Sequence, residues 1–194
     1  MTLFDRDLLE ESLRQLVARL RESGTRSGIR IVGGAAIALR YFERDSTVDI
    51  DAHFIGSTDA VEAAARAIAR ANDWPDDWLN NKAAGFIPEY GATPVQWVTL
   101  HDDGEVVIEV ASPEALLAMK LKANRPGRDD TDAAKLMAIC GIATLAEAEE
   151  LYEEYYSGEV LPERAIRMVE LILRAGVPEV PATPKNVDIA PSAD

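Results

Sequence analysis

The chain has 194 residues, 47% of them apolar, and a formal net charge of −14. That length suits one well-packed domain, or one domain with a small helical appendage. The acidity argues against broad electrostatic binding of nucleic acid, which needs clustered Lys and Arg to displace counterions, and no apolar run approaches the length of a membrane span.

The start, Met1-Thr2-Leu3-Phe4, runs straight into Asp5 without the basic-then-apolar layout of a signal peptide. Asp5 to Glu22 carries Leu8, Leu9, Leu13, Leu16, Val17 and Leu20 at helical spacing, so a packing helix is predicted. Ser23-Gly24 ends it. The apolar run Ile29 to Val32 then suits a buried strand, and Gly33-Gly34 opens a helix of Ala, Ile and Leu. A helix start with glycine lets backbone N–H groups approach a phosphate; Gly34 alone would equally serve a tight turn.

A second strand is predicted from Val48 to Phe54, its alternation broken by acids. Strand side chains alternate faces, so Asp49 and Asp51 project from one side. Acids on an edge strand keep that edge soluble. Two like charges on neighbouring same-face positions also suit Mg²⁺, which takes one or two carboxylates and completes its shell with nucleotide phosphates.

Thr58 to Ala71 reads as an alanine-rich helix capped by Ser57 or Thr58. The following loop carries Trp74 and Trp78, which either stack a base or cover an edge of the core. Strands are predicted near Phe86-Ile87, at Val95 to Leu100 and at Glu105 to Val110, with a hairpin turn at Asp102-Asp103-Gly104. Glu109 is an acid inside an otherwise apolar strand, an unusual placement that a surface position on a half-solvated strand would account for.

Ser112 caps a helix with Pro113 at its first position. Within it Lys120 lies between Leu116 and Leu117 one turn back, so it snorkels outward or meets an anion. Lys122 sits in a less buried place. Pro126-Gly127 makes a turn, Asp129 or Asp130 caps the next helix, and Asp132 lies one turn along near its positive end. Cys140 stands among Leu136, Met137 and Ile139, a packing context; as the single cysteine it forms no internal disulfide and fits a reducing cytoplasm. Two more helices are predicted, Leu145 to Tyr156 and Pro162 to Ala175, the second stopped by Gly176. From Pro178 the proline-rich sequence lacks apolar periodicity and reads as a disordered tail. The charge is uneven: Lys120, Lys122, Arg125, Arg128 and Lys135 lie close together, while Glu147, Glu149, Glu150, Glu153 and Glu154 make an acidic helix face.

The order strand, G-G, helix, Arg44, Ser46-Thr47, D-I-D resembles the nucleotidyltransferase superfamily that includes DNA polymerase beta. More narrowly, G-G-A-A-I-A-L with R-D-S-T-V-D-I-D resembles the AbiEii-like and MenT-like toxins of type IV toxin–antitoxin systems and their relatives. E-A-L-L-A-M-K-L-K-A, then Arg125 and R-D-D-T-D, resembles a second motif of that branch. The resemblance covers roughly Ile29 to Lys135. Ala35 departs from it, standing where relatives often carry Thr or Ser.

The resemblance implies an α+β nucleotidyltransferase fold, a small mixed sheet flanked by helices with a C-terminal helical portion. Residues 1–111 would be the core, 112–176 a helical portion completing the active site, and 177–194 the tail. It implies Mg²⁺ or Mn²⁺ on Asp49 and Asp51, with Glu109 as a third ligand, and an NTP held by Gly33, Gly34, Arg44, Ser46, Thr47 and Lys120. Lys120 would face the phosphates and Asp132 would be catalytic, with Asp129, Arg128 and Lys122 as weaker candidates. The implied activity is transfer of a nucleoside monophosphate from an NTP to RNA, such as a tRNA 3′ end, by a toxin with a cognate antitoxin. The alternatives are modification of a protein hydroxyl and a catalytically silent binding module.

Overall fold

The computed structural model describes residues 2–190. The chain divides into two compact units, one formed by the residues up to Ala84, by Trp97–Ala111 and by the residues from Thr183 on, the other by Gly85–Gln96 and Ser112–Ala182.

The first unit holds α1 (Arg6–Glu22), β1 (Ser27–Ile31), α2 (Gly33–Arg40), β2 (Ile50–Gly56), α3 (Thr58–Asn72), β3 (Leu79–Asn80), β4 (Trp97–Asp102) and β5 (Val106–Ala111). The strands form one mixed sheet in the order β3-β2-β1-β5-β4. β1 runs antiparallel to β2 and parallel to β5, β3 runs parallel to β2, and β4 and β5 form an antiparallel hairpin. The architecture is thus α+β with a mixed sheet, as expected. The strand expected near Phe86-Ile87 is instead a 3₁₀ turn, Ala84–Phe86, and the edge position goes to Leu79-Asn80 beside Ile50-Asp51.

Alternation sorts the sheet into two faces. Ile29, Ile31, Ala52, Ile108 and Val110 lie on the buried face, which α1, α2 and α3 cover. The register places Asp51, His53, Arg30 and Glu109 on the other face, none of them buried. Asp5 caps α1 and Ser57 caps α3, each accepting a backbone N–H from the first turn.

The tryptophans serve the core. Trp78 is fully buried, stacks on Phe4 at 6.0 Å and donates its indole N–H to the Ala65 carbonyl at 3.0 Å. Trp74 meets Phe4 and Trp78 edge-on. The two rings and Phe4 thus form one aromatic cluster, with Trp78 buried and Trp74 half-buried.

The C-terminal residues depart from the disorder expected of them. The segment 183–190 lacks helix and strand, but Ile189 is buried, and Arg6 and Arg14 donate to the carbonyls of Lys185 and Asp188. A single well-placed isoleucine and two guanidinium–carbonyl contacts hold it without any apolar period. Residues 191–194 of the expected tail lie outside the described residues.

The second unit is built from α4 (Pro113–Ala123), α5 (Asp130–Cys140), α6 (Leu145–Tyr155) and α7 (Glu163–Ala175), with 85–96 laid along it. α4 packs on α5 and α6, and α7 packs on α5 and α6. Ser112 caps α4 with Pro113 in the first turn, and Thr144 and Glu147 form a reciprocal capping box on α6. Among the described residues no helix is long and apolar enough to cross a membrane.

Candidate functional site

The diglycine turn and the D-I-D segment meet in the first unit. α2 starts at Gly33, whose φ of +66° lies in the left-handed region, and no side chain caps that start. A Cβ at Gly33 would stand 3.4 Å from the Asp51 carboxylate oxygen Oδ2. At Gly34 it would stand 3.1 Å from both the Arg44 guanidinium and the Thr47 hydroxyl. The glycines therefore keep open a small space walled by a carboxylate, a guanidinium and a hydroxyl. Backbone tethers hold it. The Val32 N–H donates to the Asp51 carbonyl at 2.9 Å, and Thr47 exchanges backbone hydrogen bonds with Phe4 at 2.7 and 2.8 Å. Arg44 donates to the Ser46 carbonyl, and the Thr47 hydroxyl donates to the Asp49 carbonyl at 3.2 Å.

Asp49 lies one residue before β2 and Asp51 within it, and both are half-buried. The buried amide of Asn80 donates to Asp49 Oδ2 at 3.1 Å, and its oxygen accepts the Lys82 backbone N–H at 2.9 Å. The Lys82 ammonium, exposed and hydrogen-bonded to Asp77, is held above the ordinary lysine range chiefly by that bond, and the charges of Asp49 and Asp51 add to it. Asn80 and Lys82 stand beside the aspartate pair, and the sequence reading missed both. Their only signal was a polar Asn-Asn-Lys run after Trp78, in a segment read as loop.

Two half-buried carboxylates, hard oxygen donors beside the diglycine turn, fit a divalent cation that draws its remaining ligands from phosphate and water. Glu109 is not brought to them. β1 lies between β2 and β5, and Glu109 accepts a hydrogen bond at 2.8 Å from Arg30, its register partner on β1. Arg30 also lies over the Trp97 ring at 5.0 Å. Among the described residues no group of three or more His, Cys, Asp or Glu is arranged to hold a metal.

The second motif assembles separately, within the helical unit. Lys120, only 6% exposed, donates to Asp129 at 2.7 Å and to Asp132 at 2.8 Å. Arg125 adds two side-chain hydrogen bonds to Asp129, at 2.9 and 3.0 Å, and a backbone one. Asp129 occupies the N-cap position of α5 but makes no side-chain cap bond, because these cations take its oxygens; Asp130 bonds the Gly127 N–H instead. Burial by itself would raise the Asp129 carboxyl, but the hydrogen bonds from Arg125 and Lys120 outweigh it and hold the pKa at about 2. Lys120, expected to face phosphates, thus has its ammonium engaged by two buried acids. Lys122 is likewise engaged, by Glu159 and the Tyr156 ring, and Arg128 is exposed on the turn. Burial first, and then Glu114, push the Cys140 thiol up to about 12, so it is protonated and unreactive at neutral pH.

Compared with protein-family models, with curated proteins and with solved structures, the chain matches none.

Proposed function

We propose that the chain is a nucleotidyltransferase of the polymerase-beta type, transferring a nucleoside monophosphate from an NTP to a hydroxyl of RNA. The observation that carries the reading is the diglycine turn, where Gly33 faces the Asp51 carboxylate and Gly34 faces the Arg44 guanidinium and the Thr47 hydroxyl. A phosphate needs donors that approach closely and a cation beside it. The unfilled glycine positions, the uncapped helix start and the Arg44 guanidinium supply those.

In this reading Asp49 and Asp51 would hold Mg²⁺ or Mn²⁺, which would supply positive charge to offset the negative charge developing on the leaving pyrophosphate. Backbone amides at Gly33 and Gly34 orient the phosphates, Arg44 balances their charge, and Asn80 fixes Asp49. The acceptor oxygen bonds to the α-phosphorus as the bond to pyrophosphate breaks, and the acceptor's proton leaves to solvent. Catalysis here is positioning and electrostatics. The Lys120 cluster enters the reading as the element that orders the helical unit.

The toxin–antitoxin assignment and the tRNA acceptor rest on the resemblance alone. The net charge of −14 favours a second acceptor class, a protein hydroxyl, over a long nucleic-acid track. One experiment separates these. The protein is incubated with each α-labelled NTP, Mg²⁺, total RNA and total protein, with Asp51→Ala alongside. Label in RNA that the variant loses supports the proposal, and label in protein moves it to the second acceptor. Wild-type labelling no higher than the variant's in every lane leaves the silent binding module.

A further inference from the structure

The helical unit carries a groove of about 850 Å³ between α5 and α7, with Pro126 and Pro178 also in its lining. Its apolar lining includes Ala134 from α5 and Met168, Leu171 and Ile172 from α7. Leu171 is 60% exposed, a large apolar side chain left on the surface. Its polar walls carry Lys135, Arg164 and Arg167 against one lining acid, Asp130. That makes a local excess of positive charge on a chain whose net charge is −14. Arg167 lies 3.4 Å from Glu163 on its own helix; Arg164 has no carboxylate partner among the described residues.

From this combination we propose that the groove is a docking site for an acidic amphipathic helix of a partner protein. Shape and charge each narrow the occupant. An apolar lining wants apolar side chains at helical spacing, the mode in which a helix lies in a groove. Cationic walls on an otherwise acidic surface select carboxylates on that helix and repel a basic one. α7 has 13 residues, so at ~1.5 Å per residue the groove matches a docked helix of about four turns. A nucleic-acid strand fits less well, because such grooves stack bases on aromatic rings and no aromatic residue among the described residues lines this one. The inference is independent of the aspartate pair.

The test is fluorescence anisotropy on the full chain with a labelled synthetic helix of about 16 residues, leucines on one face and glutamates elsewhere. A second peptide carries lysine for every glutamate, and a labelled RNA stem-loop is the third probe. The acidic peptide binds, the lysine peptide binds at least about tenfold more weakly, and raising salt weakens the acidic complex. Arg164→Glu with Arg167→Glu, and separately Leu171→Asp, each cut the acidic peptide's affinity about tenfold or more. These positions are exposed, so the thermal midpoint stays within a few degrees of the parent's and a lost signal is not unfolding. Equal binding of both peptides, no binding, or binding indifferent to the substitutions overturns the proposal. RNA binding that the same substitutions abolish overturns it too, and gives the groove to nucleic acid.

Discussion

Asn80 donates its side-chain amide to the Asp49 carboxylate at 3.1 Å from a buried position on the edge strand. That bond fixes the carboxylate that would share a cation with Asp51. Residues that orient metal ligands typically contribute about 10–100-fold to affinity or activity. Asn80→Ala should therefore weaken Mn²⁺ binding, read by the loss of free-ion paramagnetic signal, by about tenfold. Unchanged Mn²⁺ binding would remove Asn80 from the site.

Gly34→Val places a branched side chain where even a Cβ stands 3.1 Å from Arg44 and Thr47. The guanidinium must move, so nucleotide binding should fall at least about tenfold, since charge-assisted contacts to phosphate are worth ~1.5–3 kcal/mol each. Fluorescent-nucleotide titration reads the effect. Gly33→Ala tests the backbone instead: at a φ of +66° an alanine costs about 1–2 kcal/mol, visible in urea unfolding.

Removing Lys120 should hurt stability before chemistry. Lys120→Met leaves Asp129 and Asp132 buried without the cation they share, at about 3–5 kcal/mol. Chemical denaturation measures this. Full stability with lost nucleotide transfer would instead restore Lys120 to the reaction.

Acid should expose the same cluster. Asp129 titrates at about 2 in the folded chain, against 3.8 ordinarily, so the unfolded state binds the proton first as pH falls. Its contribution is complete above about pH 5 and disappears as pH drops through 2, roughly 2 kcal/mol in all. The stability gap between the parent and Asp129→Asn should narrow over that range. A gap independent of pH would show that Asp129 is not held ionised.

Ile189→Ala probes the docked C-terminal segment. The side chain is 2% exposed, and truncating a buried isoleucine costs about 2–5 kcal/mol. A thermal midpoint unchanged by the substitution would mean that the segment adds nothing to the fold.

What could be read from the sequence was what neighbouring residues decide. The diglycine turn, the D-I-D spacing, the Asp102-Asp103-Gly104 hairpin and the caps at Ser57 and Ser112 each declare themselves within a few positions. Contacts across the chain did not. Nothing near Glu109 announces that Arg30 stands opposite it, and nothing near Trp78 announces Phe4. β3 has two residues, too few for a period, so Asn80 passed as loop. Asp129 had a competent local role, a helix cap, and lost it to Lys120 and Arg125.

The first unit is written in three separate stretches, and the last of them, from Thr183, follows all of the second unit in the chain. Arg6 waits for Lys185, and Arg14 for Asp188. During synthesis the helical unit thus has every residue it needs before the sheet unit does. Loop closure over that separation is slow compared with local helix pairing. The sheet unit is accordingly the later of the two to finish, and its unsealed surface beside α1 is what a growing chain exposes to the cell.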